Sequence, residues 1–409
     1  MAFSQDILLI CLDTFFLLCA LGLLMPSAVL FVECIAALFL NPFDIKSELS
    51  ERPKLAILIP AHNEALCIQA TLETLTPQLQ AQDRLVVVAD NCSDETATIA
   101  QEMGATVIDR HNPEHRGKGY ALDYGLQFLA QDPPDVVVLV DADCQVHLGT
   151  VEQLAQRAIA THRPVQAVYL MEKPEQPSPK DLVSAFAVKV KNLVRPLGLA
   201  RLGLPCPLAG TGMAFPWSVI RSVDLASGHI VEDMKLGLDL AMVGYPPMFC
   251  PNANVLGGLP QQRQAAASQR TRWEHGHLQT LSTYVPVLLK ASIQQKRFDL
   301  LMMALDLAVP PLSLLIILWL VLVISAFLAG ILGASWMPFI LLAIAGFFLL
   351  TSIFGAWFKF GRTDLSLLTL SAIPLYLFWK IPLYLKFLFQ PQSRWVRTER
   401  DAVDTSEPL

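Results

Sequence analysis

Charge is scarce in this chain. Only 16% of its 409 residues are charged, against about 25% in an ordinary soluble domain, and 53% hydrophobic residues with a mean hydropathy of +0.45 argue against a purely soluble protein. No long basic run occurs and the net charge is −6, so a nucleic-acid partner has no electrostatic footprint. The eight cysteines, Cys11, Cys19, Cys34, Cys67, Cys92, Cys144, Cys206 and Cys250, show neither paired metal spacing nor a disulfide framework. They read as reduced, cytosol-facing or intramembrane residues. A Gly-rich dinucleotide fingerprint and a Walker A motif are both missing, which removes the main support for NAD-type and P-loop readings.

What charge there is clusters. Of 66 charged residues, 47 fall within 51–300, 6 before and 13 after, the signature of a water-soluble domain held between membrane segments. The apolar run Ile7 to Leu40 lacks the basic start and cleavage pattern of a signal peptide and reads as an anchor. As a single helix it would measure about 50 Å against a hydrocarbon core of about 30 Å, so a bend at Pro26 is expected. No charge lies between Asp306 and Lys359, and Gly330, Gly333, Ser335 and Pro338 break that stretch into two crossings. Leu365 to Phe389 either crosses or lies in the interface, because Pro374, Pro382, Lys380 and Lys386 fall inside it. Lys359 and Arg362, then Arg394, Arg397 and Arg400, all favour the cytoplasmic side, which leaves the number of crossings open. The expected layout is an anchor at 1–45, a catalytic domain at 46–260, interfacial helices at 261–298, C-terminal membrane or interfacial helices at 299–390 and a polar tail at 391–409.

From Lys54 short apolar runs alternate with helix-length amphipathic ones. Strands are expected at 55–60, 85–89, 106–109 and 136–140, with helices at 65–79, 94–103 and 118–130, which describes a Rossmann-like, doubly wound parallel sheet. Ligands bind such sheets outside the carboxyl ends of the strands. Three strands end there in polar clusters: Pro60-Ala61-His62-Asn63-Glu64, Asp90-Asn91-Cys92-Ser93-Asp94 and Asp141-Ala142-Asp143.

One or two carboxylates plus substrate phosphates is the usual way to hold Mg²⁺ or Mn²⁺, and Asp141 and Asp143 follow a buried strand. Asp90 has the chemistry to accept from a base or ribose, while Asp94 serves equally well as a helix cap. Lys118, in Arg116-Gly117-Lys118-Gly119, either brings a cation to a phosphate or simply starts a helix. Glu232 and Asp233 open a helical run, where acids complement the dipole or act as a general base. His275 and His277, two residues apart, lack the helical spacing of a metal pair and are expected to be polar surface or interface positions. The Pro-rich stretch 173–179 is taken as a rigid connection.

In this order the motifs resemble the large inverting family of GT-A glycosyltransferases that includes cellulose, hyaluronan and poly-N-acetylglucosamine synthases. The resemblance implies that Pro60, His62 and Glu64 border the nucleotide, that Asp90 contacts uracil with Lys118 on the donor side, and that Asp141 and Asp143 bind the metal. Where the family often has a second Asp, this chain has Asn91. Gly210-Thr211-Gly212-Met213 resembles the loop under the acceptor. Glu232 and Asp233 match the acidic pair whose aspartate is the base, and Gln269, Arg272 and Trp273 fit Q-x-x-R-W, with Trp suited to stack on a sugar. The implied reaction is a single displacement with inversion: Asp233 takes the acceptor proton, and a nucleotide sugar, read as a UDP-sugar, is attacked with Mg²⁺ or Mn²⁺ on the departing diphosphate.

Extension of an exopolysaccharide is the leading expectation, with transfer of one sugar to a lipid acceptor as the alternative. The first would need a homo-oligomer or secretion partner, since the C-terminal segments are few for a polymer channel. Nucleotide sugars are cytosolic, so the catalytic domain is expected to face the cytoplasm from the cell (inner) membrane. A scaffold or transporter fits less well, because the ionisable residues gather at strand ends and not within the spans.

Overall fold

The computed structural model describes residues 2–40, 52–174, 176–258 and 263–390. Both expected edges of the catalytic domain, 45/46 and 260/261, lie outside the described residues, as do Glu175 and the tail carrying Arg394, Arg397 and Arg400.

The strands are β1 Leu55–Ala61, β2 Arg84–Asp90, β3 Thr106–Arg110, β4 Val136–Leu139, β5 Cys144–Val146, β6 Val165–Glu172, β7 Met213–Pro216 and β8 Met248–Gly258. The helices are α1 Ala2–Phe39, α2 Ile68–Leu75, α3 Thr96–Glu102, α4 Lys118–Leu129, α5 Thr150–Thr161, α6 Pro179–Lys189, α7 Arg195–Arg201, α8 Trp217–Ile220, α9 Glu232–Met242, α10 Arg263–Gln295, α11 Phe298–Leu307, α12 Leu312–Ile331, α13 Met337–Ala356, α14 Leu367–Leu370 and α15 Ile373–Phe389.

One eight-stranded sheet runs β3-β2-β1-β4-β7-β6-β8-β5. Its β3-β2-β1-β4 half is parallel, as the alternating pattern predicts. Successive residues of β1 point to opposite faces: Leu55, Ile57 and Ile59 pack under α2 and α5, while Ala56 and Leu58 meet Leu122, Leu126 and Leu129 of α4. The other half corrects the expectation of a wholly parallel sheet, since β7 runs antiparallel to both β4 and β6 and β5 antiparallel to β8. Within this half β6 and β8 still pair parallel, so the sheet is mixed.

Among the described residues, four helical segments are long and apolar enough to cross a membrane: Leu9–Phe39, Leu312–Ile331, Met337–Gly361 and Leu367–Phe389. The first continues as helix through Pro26. The expected break after Ile331 is a turn whose Ser335 N–H donates to Asp13 of α1 at 2.7 Å. Of the two lysines of α15, Lys386 is exposed and Lys380 points inward, 1% exposed and paired with Glu274 of α10. Trp379 beside it lies between Lys180 of α6, 3.2 Å from its ring centroid, and Arg270 of α10.

α6 continues as a wide π turn, Val190–Val194, into α7. Lys189 at its end pairs with Asp364 and donates to the Phe360 carbonyl. Arg195 binds Glu33 of α1 and Asp306 of α11, both at 2.6 Å. Gly198 lets α7 approach α1 where a Cβ would overlap the Glu33 carbonyl. The soluble domain is thus clamped to the apolar helices through α6, the π turn and α7.

Candidate active site

Parallel register brings the ends of β1, β2 and β4 level, and a cavity of about 230 Å³ opens there. Its walls include Pro60, His62, Glu64, Asp90, Lys118, Asp141, Asp143, Glu232, Asp233, Gln269, Arg272 and Trp273. Every site residue expected from sequence is therefore gathered here except Gly212. That glycine, with φ +63, is buried against Val255 and Ala167; Gly210 is the one that lines the cavity, and a Cβ on it would lie 3.4 Å from Asp233 Oδ2.

Asp90 is buried and accepts at Oδ1 from both Arg110, at 2.5 Å, and the Asn91 amide, at 2.9 Å. Asn91, with φ +51, also accepts from the Asn112 N–H, so an amide does structural work where the family often places a carboxylate. The His62 ring is held by a 2.6 Å bond between Nδ1 and the Asp90 carbonyl. Asp94 accepts from Thr96 N and Ala65 N and does not line the cavity; it stands one residue before Glu95, which occupies the N-cap of α3 without a side-chain bond, so it braces the turn into α3 from outside the cap position.

Lys118 begins α4 and is committed. Its ammonium pairs with Asp141, donates to the Gly210 carbonyl at 2.6 Å and lies 3.9 Å from Glu232. Burial alone would lower its pKa, but Asp141, Glu232 and Asp233 raise it above the ordinary lysine value. Burial raises the Asp141 carboxyl, Lys118 opposes that, and Asp143 and Asp233 add to it. The Glu232 carboxyl is pushed up to about 7, first by burial, with Lys118 pulling down and Asp233 pushing up.

Ligand atoms of Asp141, Asp143 and Cys144 lie within 4.8 Å of one another. Burial raises the Cys144 thiol well above its usual value, so it stays protonated, leaving two carboxylate oxygens. That donor set fits a hard divalent cation completed by phosphate oxygens. Asp141 N–H is held by Thr211 Oγ1 at 3.0 Å, fixing the loop between the two acids.

The opposite wall held surprises. Tyr169, Lys191 and Asn192 line the cavity without belonging to any motif, since a Lys-Asn pair in an amphipathic stretch gives no signal. Arg110, which holds Asp90, was equally invisible. His275 and His277 are buried, so of the two expected settings, surface or interface, the surface one fails: their Nε2 atoms meet the Leu383 carbonyl of α15, at 3.0 Å, and the Leu307 carbonyl of α11, at 3.4 Å. Burial lowers the His277 pKa to about 3, so it packs α10 as a neutral ring. All eight cysteines are free thiols, as expected.

The family model described as Glycosyltransferase like family 2 matches residues 53–276, more than half of the chain. The chain is 26% identical over 277 residues to the probable glycosyltransferase YdaM of Bacillus subtilis, covering 62% of each protein. It is 26% identical over 220 residues to the 4,4'-diaponeurosporenoate glycosyltransferase of Staphylococcus haemolyticus, covering 49% of this chain and 54% of that one. The chain thus spans less than two thirds of the length of these curated relatives. Among solved structures, the mannosyltransferase PcManGT from Pyrobaculum calidifontis, in complex with GDP-Man and Mn²⁺, is similar in fold, with a TM-score of 0.56 at 18% identity over 92% of this chain and all of that one.

Proposed function

The chain belongs to glycosyltransferase family 2, and from that premise we propose that it moves a sugar from a nucleotide sugar, read as a UDP-sugar, to a hydroxyl of a lipid-linked acceptor with inversion. The carrying observation is that one cavity collects the strand-end carboxylates, the acidic start of α9 and the Gln269, Arg272 and Trp273 wall of α10.

On this reading the nucleotide lies over Pro60, His62 and Glu64, with Asp90 turned to the base and its Oδ1 already fixed by Arg110. Asp233 accepts the acceptor's hydroxyl proton as the new C–O bond forms at the anomeric carbon and the bond to the diphosphate breaks. Lys118 sits against Asp141 and Glu232, so it neutralises the acids while the diphosphate arrives and then accompanies its developing charge. Asp141 and Asp143 would hold Mg²⁺ or Mn²⁺, which when bound supplies positive charge to the leaving diphosphate.

A lipid-linked acceptor ranks first because α1, α12 and α13 close on one another: Trp319 fills the space beside Gly346 and bonds the Leu342 carbonyl, and Phe31 stacks on Phe348 at 4.8 Å. The second reading, extension of a polysaccharide, is favoured by Trp273 beside Gln269 and Arg272, a combination suited to a sugar face and its hydroxyls. It would require a homo-oligomer or secretion partner. The four apolar helices support an integral membrane protein, and a cytosolic nucleotide sugar supports a cytoplasmic catalytic domain at the cell membrane.

The test is nucleotide release from UDP- and GDP-sugars by detergent-purified protein with Mg²⁺ or Mn²⁺. Asp233→Asn should cost about 10² to 10⁴-fold in turnover while UDP still binds. Unchanged turnover would sink the assignment of the base. Label in a lipid extract supports the first reading, and label in high-mass glycan the second.

A further inference from the structure

Lys191 is a cavity cation that the reading above does not use; the other, Arg116, donates its Nε–H to the Pro113 carbonyl at 3.1 Å. It lies in the π turn between α6 and α7, and single π turns occur frequently at functional sites. Its side chain is exposed to the cavity, yet among the described residues it has no hydrogen bond and no ion pair. Lys118 is occupied by Asp141, Glu232 and a carbonyl. Arg272 resembles Lys191, for its Nε is buried without a partner, and Gln269, 7% exposed, makes no hydrogen bond among the described residues. The wall opposite the nucleotide therefore carries donors waiting for an acceptor group.

Resting on the glycosyltransfer reading, we propose that Lys191 determines acceptor specificity by holding the phosphate of a lipid whose hydroxyl is presented to Asp233. The location selects the ligand. Lys189, two residues earlier, is tied to Asp364 and to the Phe360 carbonyl at the end of an apolar helix, and Phe186 packs against Gly361. Val188, one turn before Lys191, lines the cavity beside Met171 and Leu208. The lining near Lys191 is thus partly apolar, which suits a phosphate carried on a hydrocarbon chain. A lysine ammonium acts on phosphate as a point charge and tolerates varied approach. Desolvation lowers the Lys191 pKa, with Asp233 pulling the other way, so an arriving phosphate supplies the counter-charge that the fold provides only at a distance. Lys118, Lys191 and Asp233 line the same cavity.

The experiment uses the full chain in non-ionic detergent, saturated with UDP and Mg²⁺, and titrates dodecyl phosphate, dodecanol and inorganic phosphate by calorimetry. Wild type should bind dodecyl phosphate about tenfold or more tightly than either control, as one charge-assisted contact supplies. Lys191→Met should reduce it to the dodecanol level, Lys191→Arg should restore most of it, and UDP affinity should stay the same in both variants. Unchanged dodecyl phosphate binding in Lys191→Met overturns the proposal. So does an equal loss of UDP binding, which would place Lys191 on the donor's diphosphate, or inorganic phosphate binding as tightly as the lipid. Failure of the wild type to bind any nucleotide would instead overturn the glycosyltransfer reading, and this inference with it.

Discussion

The two walls of the cavity differ in how their charges are held. On the strand-end wall each cation has a protein partner: Arg110 holds Asp90, Lys118 holds Asp141, and Arg116 donates to the Pro113 carbonyl. On the helical wall Lys191 and Arg272 make no ion pair among the described residues, and the charges that are paired, Arg195 with Glu33 and Asp306, lie behind the surface. A wall with its charges already satisfied is organised before its ligand arrives, which lowers the cost of the transition state. A wall with unsatisfied donors gains most of its order from what binds it. The first arrangement suits a nucleotide whose shape never changes, and the second an acceptor that enters from the membrane side.

The comparison breaks most sharply at Arg195. Removing it leaves two carboxylates buried without compensation, which costs about 3–5 kcal/mol where a buried pair is broken. Arg195 directly follows the π turn, so the helical wall should loosen while the strand-end wall stays intact. Arg195→Met is expected to lower the melting temperature in detergent and abolish acceptor-dependent turnover while UDP binding survives. Equal loss of UDP binding would show that the two walls are not separable.

Glu232 sharpens the comparison from the other side, because even the satisfied wall stores a penalty. Its carboxyl titrates near 7 in the folded protein, so between its ordinary value of 4.5 and 7 the folded state holds a proton that the unfolded state has lost. Stability from this group is therefore greatest at the acid end, falls as pH rises through that window, and is constant above it. The full difference is up to about 3 kcal/mol. Glu232→Gln should flatten the melting profile between pH 4.5 and 7, and a profile unchanged by the substitution would refute the assignment.

The same contrast explains what could be read in advance. The strands β1, β2 and β4 were legible because each holds a continuous apolar run followed by polar residues, and the parallel register then forces those ends together. Strands β5 and β7 are three and four residues long, too short for any periodicity, and their directions follow from pairing with distant neighbours. Motif order located the glycine loop but not which glycine faces the cavity, since that depends on how the loop folds: Gly212 packs against Val255 and Ala167 while Gly210 turns to Asp233. His275 and His277 stand about 200° apart around α10 at 100° per residue, so each meets a different helix, and only the tertiary packing says that both are helices. Lys191 was illegible for the same reason: its meaning comes from the wall opposite.

The smallest effect concerns Asp94, at the margin of the satisfied wall. Its carboxylate accepts from Thr96 N at 3.1 Å and Ala65 N at 3.1 Å. Burial alone would raise its pKa, and these bonds with that of the Thr96 hydroxyl hold it below the ordinary value. Such a group stabilises the start of α3 and the loop after β1, so Asp94→Ala should cost about 0.5–2 kcal/mol, the range for losing a side-chain acceptor of backbone N–H groups at a helix start. Because Asp94 does not line the cavity, UDP affinity should be unchanged once measured well below the melting temperature. A loss of UDP affinity with stability intact would move Asp94 from the scaffold into the binding site, and would extend the strand-end wall by one carboxylate beyond Asp90.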